Sequence, residues 1–224
     1  MTAPTASLLA TPASPRPARE KVYEWLRDAI LSGTIEPGRF LDEQWVSLSV
    51  GVSRTPVREA FHQLAAERFI TLLPRKGAQV TSVTARDLTE VYASRRLIEG
   101  HAIASICAAG TGAPAGMAEL LEPMEAAGKD ADWFAVSGFA RSFHRAMVVA
   151  AGNSVLTELY DTLRSRQQRV AVIATRARPD RMSVIDAEHR ELVALLNQGD
   201  ESGARKLLNL HLRPVPEVLS EMPQ

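Results

Sequence analysis

The chain has 224 residues, with 26 basic and 26 acidic side chains and no formal net charge, so bulk charge makes no case for nucleic acid. Hydrophobic residues at 46% and charged residues at 23% are ordinary for a soluble globular protein, and no apolar run approaches the roughly 20 residues of a membrane span. A single cysteine, Cys107, excludes an intramolecular disulfide framework and suits a reducing cytoplasm; its place in an apolar helical run predicts a buried, inert thiol.

Residues 1–18, rich in Ala, Pro, Thr and Ser, read as a disordered tail, without the early positive charge and long apolar stretch of a secretory signal. From Arg19 to Leu31 the spacing of Val22, Leu26, Ala29 and Ile30 predicts a helix, ended by Gly33 and the turn Glu36-Pro37-Gly38. A second short helix fits Asp42 to Ser49, with Asp42 as N-cap, and Gly51 breaks it. Thr55-Pro56 then starts a third helix, Thr capping its exposed amides and Pro taking the first helical position. Ile70–Leu73 and Ala78–Val80 read as two short strands around Pro74-Arg75-Lys76-Gly77, a hairpin with a basic tip.

Two helices joined by a tight glycine turn make a helix-turn-helix, whose second helix enters the major groove of DNA. The stripe Val57, Ala60, Phe61, Leu64 turns one face of that helix to the core, leaving Arg54, Thr55 and Arg58 to project from its start. Arginine there can pair with guanine or bind phosphate. Lys76 at the hairpin tip can reach the adjacent backbone, and Gly77 permits close approach and a positive φ. The plainer alternative is that the arginines form surface ion pairs, Arg58 with Glu59 or Asp28. First and second parts differ little in charge, +2 up to residue 85 and −2 beyond it, so the argument rests on local position.

Pro37-Gly38 followed by Gly51-Val52-Ser53-Arg54-Thr55-Pro56-Val57-Arg58-Glu59-Ala60 closely resembles the signature of the GntR family of winged-helix regulators, over Arg19 to about Val83. The resemblance implies a winged helix-turn-helix over 19–83, with Arg54 and Arg58 as principal base and phosphate contacts and Thr55, Gln44 and Gly77 supporting. Arg68 stands where the family usually has the glycine that closes the recognition helix.

From Asp87 onward the pattern is helical, over about 87–108, 115–127, 131–151, 154–177, 181–197 and 201–219, with Pro123 expected to kink or split the second stretch. The fold class expected is mainly α: a winged helix-turn-helix followed by an all-α bundle over 87–220. His144, His189 and His211 each fall in phase with an apolar stripe on a different helix, which points three imidazoles into the bundle. Each alone reads as a core histidine; together, a divalent metal would satisfy all three lone pairs. Arg95 starts from the buried face of Leu88, Val91, Tyr92, Ile98 and Ala102 and needs an anion, either Glu99 one turn on or the carboxylate of an effector. His62 and His101 read as surface or packing residues.

This half resembles the FCD ligand-sensing domain of the FadR-type branch of the same family, in Arg95-Arg96-Leu97-Ile98-Glu99-Gly100, Phe143-His144, Glu188-His189, Gly199-Asp200 and His211-Leu212. The resemblance implies an effector pocket at Arg95, homodimerisation, and, in metal-binding members, an Asp or Asn ligand four residues before the first histidine. Here that position is Ala140, which cannot ligate. Three histidines still make a zinc site with an open position; nickel and manganese are the alternatives.

The expected function is a cytoplasmic DNA-binding regulator, a repressor of a metabolic operon acting on a near-palindromic operator and controlled by a small carboxylate effector. A metal-sensing regulator is the nearer rival. A three-histidine metallohydrolase is the farther one, since Glu188, about 100° from His189 on the helix, offers no evident general base.

Overall fold

A computed structural model describes residues 17–223; the expected tail lies, up to residue 16, outside the described residues. The first helix, α1 (Ala18–Leu31), is followed by strand β1 (Phe40–Leu41) and helix α2 (Glu43–Val50). Asp42 caps α2, its Oδ1 accepting from the N–H groups of Gln44 at 2.8 Å and Trp45 at 2.9 Å, and Gly51 ends it at φ +73°. Helix α3 (Arg54–Ala66) begins before the Thr55-Pro56 pair expected to open it. Ser53 takes the N-cap place and Pro56 the third helical position, where its missing N–H costs nothing because first-turn amides have no intrahelical partner. Thr55 is therefore not the cap. Val22 and Leu26 of α1 share one core with Val57, Phe61 and Leu64 of α3.

Strands β2 (Ile70–Leu73) and β3 (Gly77–Val80) form the expected hairpin, and β1 adds to it in the antiparallel order β1-β3-β2. The two residues of β1 are too few to show a period of two in the sequence. Its presence explains Gly77. At φ +89°, a Cβ here would collide with the carbonyl of Leu41 in β1, so the close approach that requires glycine is within the sheet and not toward DNA.

The helical body comprises α4 (Ala85–Ala109), α5 (Leu121–Lys129), α6 (Trp133–Ala150), α7 (Ser154–Thr162), α8 (Arg164–Ala177), α9 (Met182–Gln198), α10 (Glu201–His211) and α11 (Pro216–Glu221). A reciprocal Thr84–Asp87 capping box opens α4, and Gly110 at φ +64° closes it. Pro123 sits in the first turn of α5, after a short 3-10 turn over Ala118–Leu120, so the expected split falls ahead of the proline. Two further stretches expected as single helices are each divided. The first breaks at Leu163; the second breaks between His211 and Pro216, where Pro214 and Pro216 interrupt the hydrogen-bond ladder. The main core joins Ile103 and Ile106 of α4 with Phe143 and Met147 of α6, Leu192 and Leu196 of α9 and Leu207 and Leu208 of α10. No helix among the described residues is long and apolar enough to cross a membrane.

Helix α8 joins body to head. Its Val172 is buried in the head's core, and Arg169 donates to the backbone carbonyls of Arg68 and Thr81. Ser165 donates to the Glu67 carboxylate, which also accepts from Tyr23 at 2.7 Å.

Candidate functional site

Gln44, Arg54, Arg58, Lys76 and Gly77 line one cleft between the helix-turn-helix and the hairpin tip, and Thr55 stands exposed at the start of α3 beside it. Arg54 donates to Gln44 Oε1 at 2.9 Å. Arg58, 63% exposed, pairs with Glu43 at 2.7 Å, and not with Glu59 or Asp28. An exposed pair of this kind contributes at most about 1 kcal/mol, so a phosphate or a guanine edge can replace the carboxylate at small cost. Lys76 closes the turn, its N–H donating to Leu73 O at 3.0 Å, with Arg75 at φ +63° in the place where a type II turn needs positive φ. His62 and Arg75 line the same cleft. His62 lies one turn beyond Arg58 on α3, a spacing that already put it on the Arg58 face.

His144 of α6, His189 of α9 and His211, the last residue of α10, converge in the body. One ligand nitrogen from each lies within 4.8 Å of the others. Nε2 of His144 and Nε2 of His189 are 3.3 Å apart, the separation of two nitrogens at tetrahedral positions about 2.0–2.1 Å from zinc. His144 and His189 are each 1% exposed. Burial lowers the His144 pKa to about 4, against the opposing pull of Glu99, and burial followed by the neighbouring His211 and His144 lowers that of His189. Both imidazoles are therefore neutral at physiological pH, the form that ligates a metal.

Two carboxylates orient two of the rings. Glu99 Oε2 lies 2.8 Å from His144 Nδ1, and Glu188 Oε2 lies 2.8 Å from His211 Nδ1. Each carboxylate stands beside Nδ1 of its ring, the place carboxylates take behind metal-bound histidines, and leaves Nε2 turned to the other rings. Glu188 is thus not idle: it faces away from His189, as its helical position dictates, and reaches His211 on the adjacent helix. Because it holds a histidine, it is committed to orientation. The donor set fits a divalent ion, with Ala140, one turn before His144, contributing only a methyl group to the cavity wall.

Arg95 forms the i,i+4 pair with Glu99 at 2.7 Å, and Tyr160 donates to the same carboxylate oxygen at 2.8 Å. Burial alone would raise the Glu99 pKa; Arg95 and His144 outweigh it and hold the carboxyl well below its usual range. The pairing leaves Arg95 Nη2 buried without a hydrogen-bond partner. Arg95, Ala140 and the three histidines line one cavity, whose wall includes no acidic side chain among the described residues. Of the two sequence alternatives for Arg95, the internal partner Glu99 is present, and one donor is left over beside the histidines. Cys107 is half-buried and not fully enclosed; burial, then Glu201 and Asp200, raise its pKa, which keeps it a thiol.

The place of Glu99 behind His144, and the roles of Glu188 and Arg169, are not visible in the sequence. Glu99 carried a signal, its place one turn after Arg95 on a buried face. Glu188 and Arg169 act on neighbouring elements, and no local spacing announces such contacts.

The profile of the bacterial regulatory proteins of the gntR family matches residues 18–80, and that of the FCD domain matches residues 90–214. An uncharacterised HTH-type transcriptional regulator of Streptomyces ambofaciens is 28% identical over 201 residues, 89% of this chain and 84% of its own. The HTH-type transcriptional repressor GlaR of Escherichia coli is 26% identical over 211 residues, 89% and 95% of the two chains. The gluconate operon transcriptional repressor of Bacillus subtilis is 31% identical over 159 residues, covering 70% and 64%. Among solved structures, a GntR-type transcriptional regulator of Rhodococcus sp. RHA1 superposes with a TM-score of 0.69 at 27% identity, over 87% of this chain and 93% of its own. These relatives are transcription regulators and not enzymes, which removes the metallohydrolase reading. With both profiles matched in order along one chain, this protein belongs to the GntR family of transcription regulators and carries an FCD domain behind its DNA-binding head.

Proposed function

We propose that the chain is a homodimeric repressor of a metabolic operon, acting in the cytoplasm on a near-palindromic operator and controlled by a small carboxylate held at a three-histidine metal centre. The repressor names of GlaR and of the gluconate operon regulator support the first part. The observation that carries the second is the buried, unpartnered Nη2 of Arg95 beside three histidines in one cavity. A buried guanidinium N–H without an acceptor is costly, and an incoming carboxylate supplies one.

His144, His189 and His211 would hold the ion, zinc by imidazole preference over nickel or manganese, with Glu99 and Glu188 fixing two of the rings. When bound, the ion supplies a positive charge and an open coordination position for a carboxylate oxygen. Arg95 receives the other oxygen. In the head, Arg54 and Arg58 contact bases and phosphates, with Gln44, Thr55, Lys76 and Gly77 framing the cleft. Helix α8 connects the two sites: Ala171, Ala174 and Thr175 line the cavity while Arg169 and Val172 hold the head. An effector that binds one arrangement of α8 better than another shifts the placement of the heads. On a twofold operator such a shift changes half-site spacing in both subunits at once.

Ala140 favours a second reading, in which a weakly held, exchangeable ion is itself the signal. Gel shift on the DNA upstream of the chain's own gene tests the head: Arg58→Ala is expected to weaken binding about tenfold or more. Unchanged binding by that variant contradicts the assigned cleft. Adding and removing zinc in the same assay separates the two readings, since only an ion that signals alone changes binding without a carboxylate.

A further inference from the structure

We infer that the effector's carboxylate is carried on an apolar body, an unsubstituted alkyl or aryl group, and not on a polyhydroxylated chain. The inference rests on the carboxylate reading above and narrows its ligand class. The cavity is lined by a few charged side chains and many apolar ones. Its cationic groups are Arg95, Arg181 and Arg213, with Arg178 already held by Asp180, while much of the remaining wall is hydrocarbon, from Leu88, Met124, Val136, Ile185 and Val218.

Besides the histidines, the neutral polar groups are Tyr92, Ser137 and Thr175, and the hydroxyl hydrogens of the last two are already used. Ser137 donates its hydroxyl hydrogen to Phe134 O at 2.7 Å, and Thr175 donates to Ala171 O at 2.8 Å. Both can therefore only accept from a ligand. A sugar acid brings a hydroxyl on nearly every carbon, and each hydroxyl that loses water without gaining a partner costs about 1–3 kcal/mol. An alkyl or aryl body in the same place gains about 25 cal/mol for every Å² of apolar surface removed from water. The balance of the wall therefore selects against hydroxyls along the body and for an anionic group on an apolar one.

Ala140 acts in the same direction. It lies one turn before His144 and lines the cavity. A carboxylate at this position would repel an incoming carboxylate and compete for the same cations. The methyl group removes that repulsion and extends the apolar wall up to the histidines.

Calorimetric titration of the full chain, with and without one equivalent of zinc, using hexanoate, benzoate and gluconate as probes, tests the inference. At least one of hexanoate and benzoate is expected to bind tenfold or more tightly than gluconate. Ala140→Asp is expected to reduce that binding at least tenfold, and Ile185→Asn to narrow the preference over gluconate; circular dichroism verifies that both variants are folded. Gluconate binding as tightly as either apolar acid would overturn this inference while leaving the carboxylate reading standing. If none of the three binds the folded protein, with or without zinc, the carboxylate reading fails and this inference fails with it.

Discussion

Arg169, on the helix that walls the cavity, donates a hydrogen bond to the backbone carbonyl of Arg68, the residue that closes the recognition helix. The same guanidinium reaches the carbonyl of Thr81, just past the wing strand β3, and lies over the Phe69 ring at 5.5 Å. Burial lowers its pKa to about 10, with Asp87 opposing. One cation of the body therefore grips both DNA-facing elements of the head by their backbones.

Replacing it should loosen that grip. Arg169→Met leaves two carbonyls short of a donor, at about 1–3 kcal/mol. Hydrogen exchange is expected to speed up in residues 67–83 and to stay unchanged in α4 and α6. Exchange that rises equally throughout would show a global loss of stability and no specific role in joining head to body.

Arg68 itself holds φ +62°, a left-handed conformation that strains a residue with a Cβ by about 1–2 kcal/mol. Its side chain is exposed. Arg68→Gly is expected to raise stability by about 1 kcal/mol, read as a higher denaturant midpoint. A lower midpoint would mean that the arginine makes a contact worth more than the strain.

Arg68 also shows how far the sequence reaches. The family resemblance alone marks this position as a glycine place, because a helix closed by a left-handed residue leaves a recognisable punctuation. The helix-turn-helix was legible for the same reason, being built from local spacing, caps and turns. The three histidines were legible through their phase with apolar stripes. What was not legible came from contacts between distant segments: β1, whose two residues carry no period; Glu188, whose partner is 23 residues away on another helix; and Arg169, 101 residues from the carbonyl it caps. The division of α7 from α8 lacked any glycine or proline to announce it.

Glu188→Gln tests the orientation of His211. The amide cannot fix the ring as a carboxylate does, and loss of such a group behind a ligand costs about 10- to 100-fold in metal affinity. Zinc affinity measured by competition with a chelator is expected to fall within that range, whereas Glu191→Gln, exposed on the same helix, should leave it unchanged. Equal affinities for Glu188→Gln and the parent chain would remove Glu188 from the centre.

Metal-free protein should lose stability on mild acidification. His144 has a folded pKa of about 4 against an ordinary 6.5, and that of His189 is lowered as well. Between these values the unfolded chain takes up protons that the folded chain refuses. The contribution is thus complete above pH 6.5 and disappears as the pH falls toward about 4. For His144 it amounts to about 3 kcal/mol. Urea midpoints of chelator-treated protein at pH 8, 6 and 5 are expected to fall in that order, and less steeply in His144→Gln. A midpoint independent of pH across this range would contradict the buried, neutral assignment.

Three histidines without a fourth protein ligand are expected still to form a metal centre. Elemental analysis of the purified chain, beside a His144→Ala/His189→Ala double variant, tests it most directly. Close to one divalent ion per chain, zinc foremost, is expected in the parent and none in the variant. A chain that holds no metal even after incubation with excess zinc would contradict it, and would make the histidines direct partners of an effector or plain members of the core.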